Sequence, residues 1–260
     1  MNLTFSEQIM YSVLQVLMFD KGNTLKGTAT GFIFGFCEND EATAPILALV
    51  TNRHVVSNCE YISVIFTLAT KDNEPDVGRT IQATISTRSA VYHPNPNVDL
   101  AAIPLGPCIN ALFQSNCPIF FRHISISHIP SVQDWKEFDA IEPVIMLGYP
   151  RGLRDQTNNL PIFRRGITAT HPAYDFQGNA EFLVDMPCFE GCSGSPVFIL
   201  EEGTYWNKRA HSMSIGGERI FFLGVQRAIP DVKSIGSIEL FASNNTQLEP
   251  KPVVSFYLNL

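Results

Sequence analysis

Gly191-Cys192-Ser193-Gly194-Ser195-Pro196 sets one serine between glycines in a turn that runs straight into the apolar stretch Val197 to Leu200. Glycines let the backbone fold sharply and turn successive N–H groups toward one point. A carbonyl attacked by the Ser193 hydroxyl would then find main-chain donors for its developing oxyanion. Gly-Ser-Pro runs are also ordinary turn chemistry, and the hexapeptide alone does not separate the two readings. A hydroxyl is too weakly acidic to act unaided at neutral pH, so the catalytic reading demands a histidine base and a carboxylate that fixes its tautomer.

Of the six histidines, His54 stands out because it follows the apolar run Ile46 to Val50, in Val50-Thr51-Asn52-Arg53-His54-Val55-Val56. A ring at the end of a buried strand is held firmly yet reaches a cleft; the competing reading is a strand-end histidine bonded to backbone. Asp99 offers the carboxylate, where the loop His93-Pro94-Asn95-Pro96-Asn97-Val98 delivers one acid into Leu100 to Ile103. An acid at that junction is costly to bury unpaired, although it can also cap its own loop. His93 lies on the same short loop as Asp99 and reads as shaping that loop rather than as the base. The three sites occur in the order His, Asp, Ser, which is the chymotrypsin order and neither the subtilisin nor the α/β-hydrolase one.

Composition bounds the alternatives. With 260 residues, 45% hydrophobic and 17% charged, the chain has material for one large domain or two lobes. A net charge of -7 and the lack of a basic run argue against a nucleic-acid surface. The first 21 residues carry Glu7 and Asp20 and no basic n-region, and every apolar run is interrupted before about 18 residues, which predicts no signal peptide, no membrane span and a cytoplasmic protein. Cysteines 37, 59, 108, 117, 188 and 192 form no Cys-x-x-Cys pair and no zinc spacing, so they read as free thiols, with no metal and no cofactor called for.

Short β-rich runs recur between turns: Gly27 to Phe36, Pro45 to Thr51, Ile62 to Leu68, Thr80 to Ser86, Leu100 to Leu105, Val144 to Leu147, Ile162 to Thr170, Glu181 to Met186, Val197 to Leu200 and Ile220 to Val225. This spacing predicts an all-β barrel or sandwich. Ser6 to Met18 is the best helical candidate, with Ser6 as cap, or else a short helix leading into a strand. Gly106 to Ile129 is less regular and takes the junction between two halves of about six short strands each, enough to close a small barrel. The division is residues 1–118 with His54 and Asp99, 119–245 with Ser193, and a terminal segment 246–260 that either docks on the barrel or precedes a missing helix.

Five pieces in order resemble a trypsin-like, chymotrypsin-fold (clan PA) serine peptidase of the compact bacterial kind related to the HtrA protease domain. They are Gly27-Thr28-Ala29-Thr30-Gly31-Phe32-Ile33, Thr51-Asn52-Arg53-His54-Val55-Val56, Val98-Asp99-Leu100-Ala101, Leu147-Gly148-Tyr149-Pro150 and the Gly191 to Pro196 string. The resemblance implies two packed six-stranded antiparallel β-barrels with the site in the cleft between them. It also implies Ser193 as nucleophile, His54 as base, Asp99 as its orienting acid, and the backbone N–H groups of Gly191 and Ser193 as the oxyanion hole. Pro187, Cys188, Phe189 and Glu190 would help line the primary specificity pocket, and Phe222-Leu223-Gly224-Val225-Gln226-Arg227 resembles the strand along which substrate is laid, with Gly224 and Val225 touching it.

The departures matter as well. Cys192 replaces the acid that pairs with a freshly cut N-terminus in secreted relatives, which points away from that activation route. Ser195 replaces a glycine, and no acid sits where trypsin's preference for Lys and Arg is set, so a small or medium apolar side chain is expected at the cleavage site. The expected activity is endopeptidase action on protein or peptide substrates. The rival is a latent or inactive binding module on the same fold, whose oxyanion loop forms only with a separately encoded partner.

Overall fold

The central strands are apolar on both faces, and the reason is where they lie. The structure, a computed structural model, describes residues 3–37, 44–207 and 211–227; the terminal segment 246–260 lies outside them. Its strands are β1 (Val13–Phe19), β2 (Leu25–Phe36), β3 (Ile46–Thr51), β4 (Tyr61–Ala69), β5 (Pro75–Ser86), β6 (Val91–Tyr92), β7 (Ala101–Pro104), β8 (Ile119–Phe120), β9 (Ile124–Ser125), β10 (Pro143–Gly148), β11 (Ile162–Thr168), β12 (Val184–Asp185), β13 (Pro196–Asn207) and β14 (Ser212–Val225). Short helices α1 (Phe5–Met10), α2 (Arg53–Ser57), α3 (Gly106–Gln114) and α4 (Val132–Glu137) punctuate them.

Two sheets result. The first runs β5-β4-β1-β2-β3-β7-β6, with β8 added to β4 and β9 to β2; the second runs β12-β11-β10-β13-β14. Among the described residues every pairing is antiparallel except the short β2–β9 contact. The all-β, two-lobed chymotrypsin-like fold is therefore present, but among the described residues the strands divide nine to five rather than six to six. No ladder closes either sheet into a barrel among the described residues. Two-residue strands on the flanks enlarge the first sheet, and the second ends at β14, two residues before the description stops at Arg227. β8 and β9 join the first sheet, so the change of sheet falls between Ser125 and Pro143, beyond the boundary expected after residue 118.

Period-2 alternation assigns each face. On β2, Ala29 and Ile33 enter the first lobe's core with Leu49, Val64 and Ile103, whereas Phe32 and Phe34 point the other way. On β13, Val197 and Ile199 enter the second lobe's core with Val144, Met146 and Leu223, whereas Phe198 turns outward from it. The outward faces meet in a third cluster, Ile9, Val13, Phe32, Phe34, Leu147, Tyr149 and Phe198, which is the seam between lobes. Phe32 lies 5.3 Å from Phe222, and Phe222 lies 5.5 Å from Phe198, so aromatic rings from both sheets share this seam. Tyr149, almost fully buried there, donates its hydroxyl to the Val13 carbonyl at 3.2 Å, and burial holds that phenol well above its ordinary pKa.

Local differences from the sequence reading have physical causes. Ser6 to Met18 resolves into its second alternative, with α1 ending at Met10 and β1 starting at Val13. The cap is Thr4 rather than Ser6: its hydroxyl accepts from Glu7 N–H while the Glu7 carboxylate accepts from Thr4 N–H. The irregular run after Gly106 contains α3, because Pro107 falls in the first turn, where its missing N–H costs nothing. Among the described residues no helix is long and apolar enough to cross a membrane.

Because the seam joins the halves of the site, truncating it should be costly. Phe198→Ala is expected to lower unfolding stability by about 3–5 kcal/mol and Phe198→Leu by much less, read from urea midpoints with unchanged slopes.

Candidate active site

His54 and Asp99 are brought together by strand register. β3 and β7 pair with Thr51 opposite Ala101, so the residues just after Thr51 and just before Ala101 leave the sheet side by side. The short turn α2 then carries His54 over the Asp99 carboxylate. His54 Nδ1 lies 2.6 Å from Asp99 Oδ2, and the His54 backbone N–H donates to Asp99 Oδ1 at 3.0 Å. A carboxylate only accepts, so Nδ1 carries the ring proton and Nε2 presents a lone pair. Asp99 is held in turn: its carbonyl accepts from Asn52 Nδ2 at 2.9 Å and from Arg53 N–H at 3.2 Å. The acid is one-sixth exposed and the imidazole about half, so the ring stands at the cleft surface over a sheltered carboxylate.

His93 does something different. Its Nδ1 accepts from the Asn95 N–H at 3.2 Å and its carbonyl from Arg53 Nη2 at 3.1 Å, so it shapes the loop that delivers Asp99.

The serine loop arrives from the second lobe and is fastened to the first by Thr30. On β2, position 30 shares the face of Phe32 and Phe34, toward the other lobe. Fully buried, Thr30 donates its hydroxyl to the Gly191 carbonyl at 2.8 Å and accepts from Tyr149 N–H at 3.0 Å. Its backbone N–H donates to the Ser193 carbonyl at 2.9 Å, and its own carbonyl accepts from Thr51 Oγ1 at 2.7 Å. Thr51 is three residues from His54, so one residue ties the serine loop to the strand end that bears the histidine. Among the described residues no hydrogen bond yet joins Ser193 Oγ to the His54 ring.

Two glycines are obligatory in this loop. Gly191 has φ +92° and Gly194 φ +87°, in the left-handed region. A Cβ on Gly194 would strike the Thr30 carbonyl and the Thr51 hydroxyl, and one on Gly191 would lie 2.5 Å from the Tyr149 carbonyl. The Glu190 carbonyl accepts from Arg151 N–H at 2.5 Å. Across a trans peptide the following N–H points the opposite way, so Gly191 N–H is turned away from Arg151, in the turn after β10. Among the described residues neither Gly191 N–H nor Ser193 N–H has a hydrogen-bond partner.

A family model described as "Trypsin-like peptidase domain" matches residues 29–205, more than half of the chain and the whole of this constellation from Thr30 to Ser195. The chain belongs to the trypsin-like peptidase family. Among solved structures this trypsin-like peptidase is similar to the active form of the Rv3671c protease from M. tuberculosis, at 14% identity and TM-score 0.39 over 85% of each chain. It is also similar to HL collagenase, at 13% identity and TM-score 0.41 over 82% of this chain and 88% of that one. No curated protein matches it.

Within this trypsin-like fold, the residues expected to line the specificity pocket and those expected along the substrate strand fall in different places. Gly224 and Val225 line a cavity of about 960 Å³ with Trp135, Pro172, Phe182 and Leu223. Phe189 lines a different one, of about 450 Å³, on the far side of the loop. Pro187 and Glu190 are exposed, and Cys188 is buried in the second core. The six cysteines are free. The buried thiols of Cys188 and Cys192 share a hydrogen bond, which together with burial drives Cys188 far up in pKa. The same bond draws Cys192 down, assisted by the Phe189 backbone and the Arg164 charge.

Two residues near the site had no role in the sequence reading. Thr30 lay inside a quoted motif, but nothing in one sequence marks its hydroxyl as the lobe-to-lobe tie. Arg227 places Nε 3.9 Å from Asp99 Oδ2 and donates Nη1 to Glu181 Oε2 at 2.8 Å, a partnership across 128 residues that only folding creates.

Thr30→Val strands a buried carbonyl and a buried N–H and is expected to cost about 2–4 kcal/mol, with Thr30→Ser restoring most of it in chemical denaturation. Ser195 is fully buried with its hydroxyl lacking a partner, against Gly148. Ser195→Ala should therefore raise stability by about 1 kcal/mol, seen as a higher melting temperature.

Proposed function

We propose that the protein is a serine endopeptidase that hydrolyses peptide bonds in protein substrates through Ser193, His54 and Asp99. The observation carrying this reading is the two-point grip of Asp99 on His54, through ring Nδ1 at 2.6 Å and backbone N–H at 3.0 Å, which leaves Nε2 as a base facing the cleft. His54 Nε2 takes the Ser193 proton as the hydroxyl attacks the scissile carbonyl, a contact that tightens when substrate is bound. Asp99 stabilises the resulting imidazolium, which then protonates the leaving amine. Water completes the cycle by the same route, releasing the acyl group from Ser193.

The tetrahedral oxyanion is received by Gly191 N–H and Ser193 N–H. Their lack of other partners, and the Glu190 carbonyl drawn toward Arg151, support a loop formed without a partner protein and weigh against the latent-module reading. The substrate backbone lies along the end of β14, at Gly224 and Val225. The apolar share of the adjoining cavity, with Trp135, Phe182 and Leu223, suits an apolar side chain before the scissile bond.

A fluorophosphonate probe tests the nucleophile: the parent should be labelled at Ser193 and Ser193→Ala should not, while labelling that survives the substitution would sink the assignment. For the base, His54→Ala should lower peptide hydrolysis by about 10³–10⁴-fold and His93→Ala should leave most of it. Equal losses would show that His93 does more than shape its loop.

A further inference from the structure

The cavity beside Phe189 is lined by Pro150, Arg151, Gly152, Leu153, Arg154, Gln156, Arg164 and Phe189: three guanidiniums and no carboxylate. In a chain of net charge -7 this is an uneven placement of cations. Among the described residues none of the three pairs with an acid. Arg154 donates to the neutral Asn159 Oδ1 at 3.0 Å, and the nearby Asp155 is occupied by its own turn, accepting from Thr157 and Asn158. Arg151 and Arg164 both lie over the Phe189 ring, at 5.0 and 4.8 Å, which holds them at the cavity without neutralising them. Arg164 Nε is buried with no acceptor at all. A buried guanidinium donor without a partner is costly, and planar guanidiniums match carboxylates bidentately.

The position of the cavity follows from strand order. β10 and β14 flank β13 on opposite sides, and the serine loop leads into β13. The turn after β10 contributes Pro150 to Arg154 on one side of the loop; the end of β14, with Gly224 and Val225, lies on the other. Arg151 N–H is bonded to the Glu190 carbonyl, one residue before the proposed oxyanion donor Gly191, so the cavity wall is tied to the serine loop next to that donor.

We infer that Arg151, Arg154 and Arg164 form an anion subsite that takes the carboxylate of an Asp or Glu side chain on the substrate shortly after the scissile bond. The inference rests on the peptidase reading, because the β14 side holds the residues before that bond and leaves this side to the departing segment. The cleavage it favours is ordinary hydrolysis with an acidic residue on the leaving fragment.

Digestion of a proteome-derived peptide library, with cleavage sites identified by mass spectrometry, tests it on the full chain. For the parent, Asp and Glu should be enriched at the first three positions after the cut, and matched Glu and Gln peptides should differ about tenfold in kcat/KM. The ratio should fall toward one in Arg151→Gln/Arg154→Gln, more weakly in the exposed single variant Arg151→Gln, and in the parent as salt is raised. Inorganic phosphate added to the parent separates the sources of the anion. Competition that is selective for the Glu peptide supports a shared site, whereas equal inhibition of both peptides points to a free-anion effect and overturns the subsite. Cleavage without acidic enrichment also overturns the subsite and leaves the peptidase standing. Absence of both cleavage and fluorophosphonate labelling removes the peptidase reading and the subsite with it.

Discussion

The hydroxyl of Thr30 is the point on which the site depends. Two lobes with separate cores supply the parts, one carrying His54 and Asp99 and the other Ser193. Aromatic packing along the seam brings the lobes together, but packing is non-directional and does not fix a loop to a fraction of an ångström. Thr30 supplies the direction. Its side chain and backbone make three bonds to the opposite lobe, at Gly191, Tyr149 and Ser193, and its carbonyl returns to Thr51 beside the histidine. In a buried setting such bonds are stronger than in water, and losing one leaves an orphaned polar group, so the network is satisfied as a unit or not at all.

That network explains the composition of the serine loop. The backbone of Gly194 touches the Thr30 carbonyl and that of Gly191 the Tyr149 carbonyl, leaving no space for a Cβ at either. Position 195 lies under Gly148, where a serine fits sterically yet finds no hydrogen-bond partner. The glycine pattern that suggested a nucleophile thus reflects the closeness of three backbone segments, and the turn geometry at Ser193 is its consequence.

The legible part of the fold was what period-2 patterning and turn residues encode. Ten β-rich runs correspond to observed strands because alternation and flanking Gly or Pro are local signals. β13 and β14 extend well beyond the runs read as strands, to Asn207 and from Ser212, because Glu201-Glu202-Gly203 and Gly216-Gly217-Glu218 interrupt the apolar pattern and the exposed Trp206, Met213 and Ile215 beyond them are held by strand pairing rather than by a core. β8 and β9 are two residues long, set by pairing with distant β4 and β2, and no local pattern announces them. His54 and Asp99 were legible from context, and strand register explains their meeting. The placing of Phe189 in one cavity and of Gly224 and Val225 in another was not legible, since it depends on which side of β13 each neighbouring strand occupies.

Cys192 removes one way of ordering the serine loop. An acid at that position implies a loop ordered by an external amine; here a free thiol enters the second core beside the free thiol of Cys188. The loop is anchored from within the same chain instead: Glu190 by Arg151, Gly191 and Ser193 by Thr30, and Gly194 by the Gln226 carbonyl. Each anchor lies on an element already packed in a lobe or at the seam, so the loop's conformation is set when the lobes meet. The Arg151 anchor also joins that conformation to the arginine-lined cavity, because the residue that draws the Glu190 carbonyl aside is one whose guanidinium lines the proposed anion subsite. An acidic residue bound there would tighten the same turn that orients Gly191 N–H, which couples recognition of the leaving fragment to stabilisation of the oxyanion.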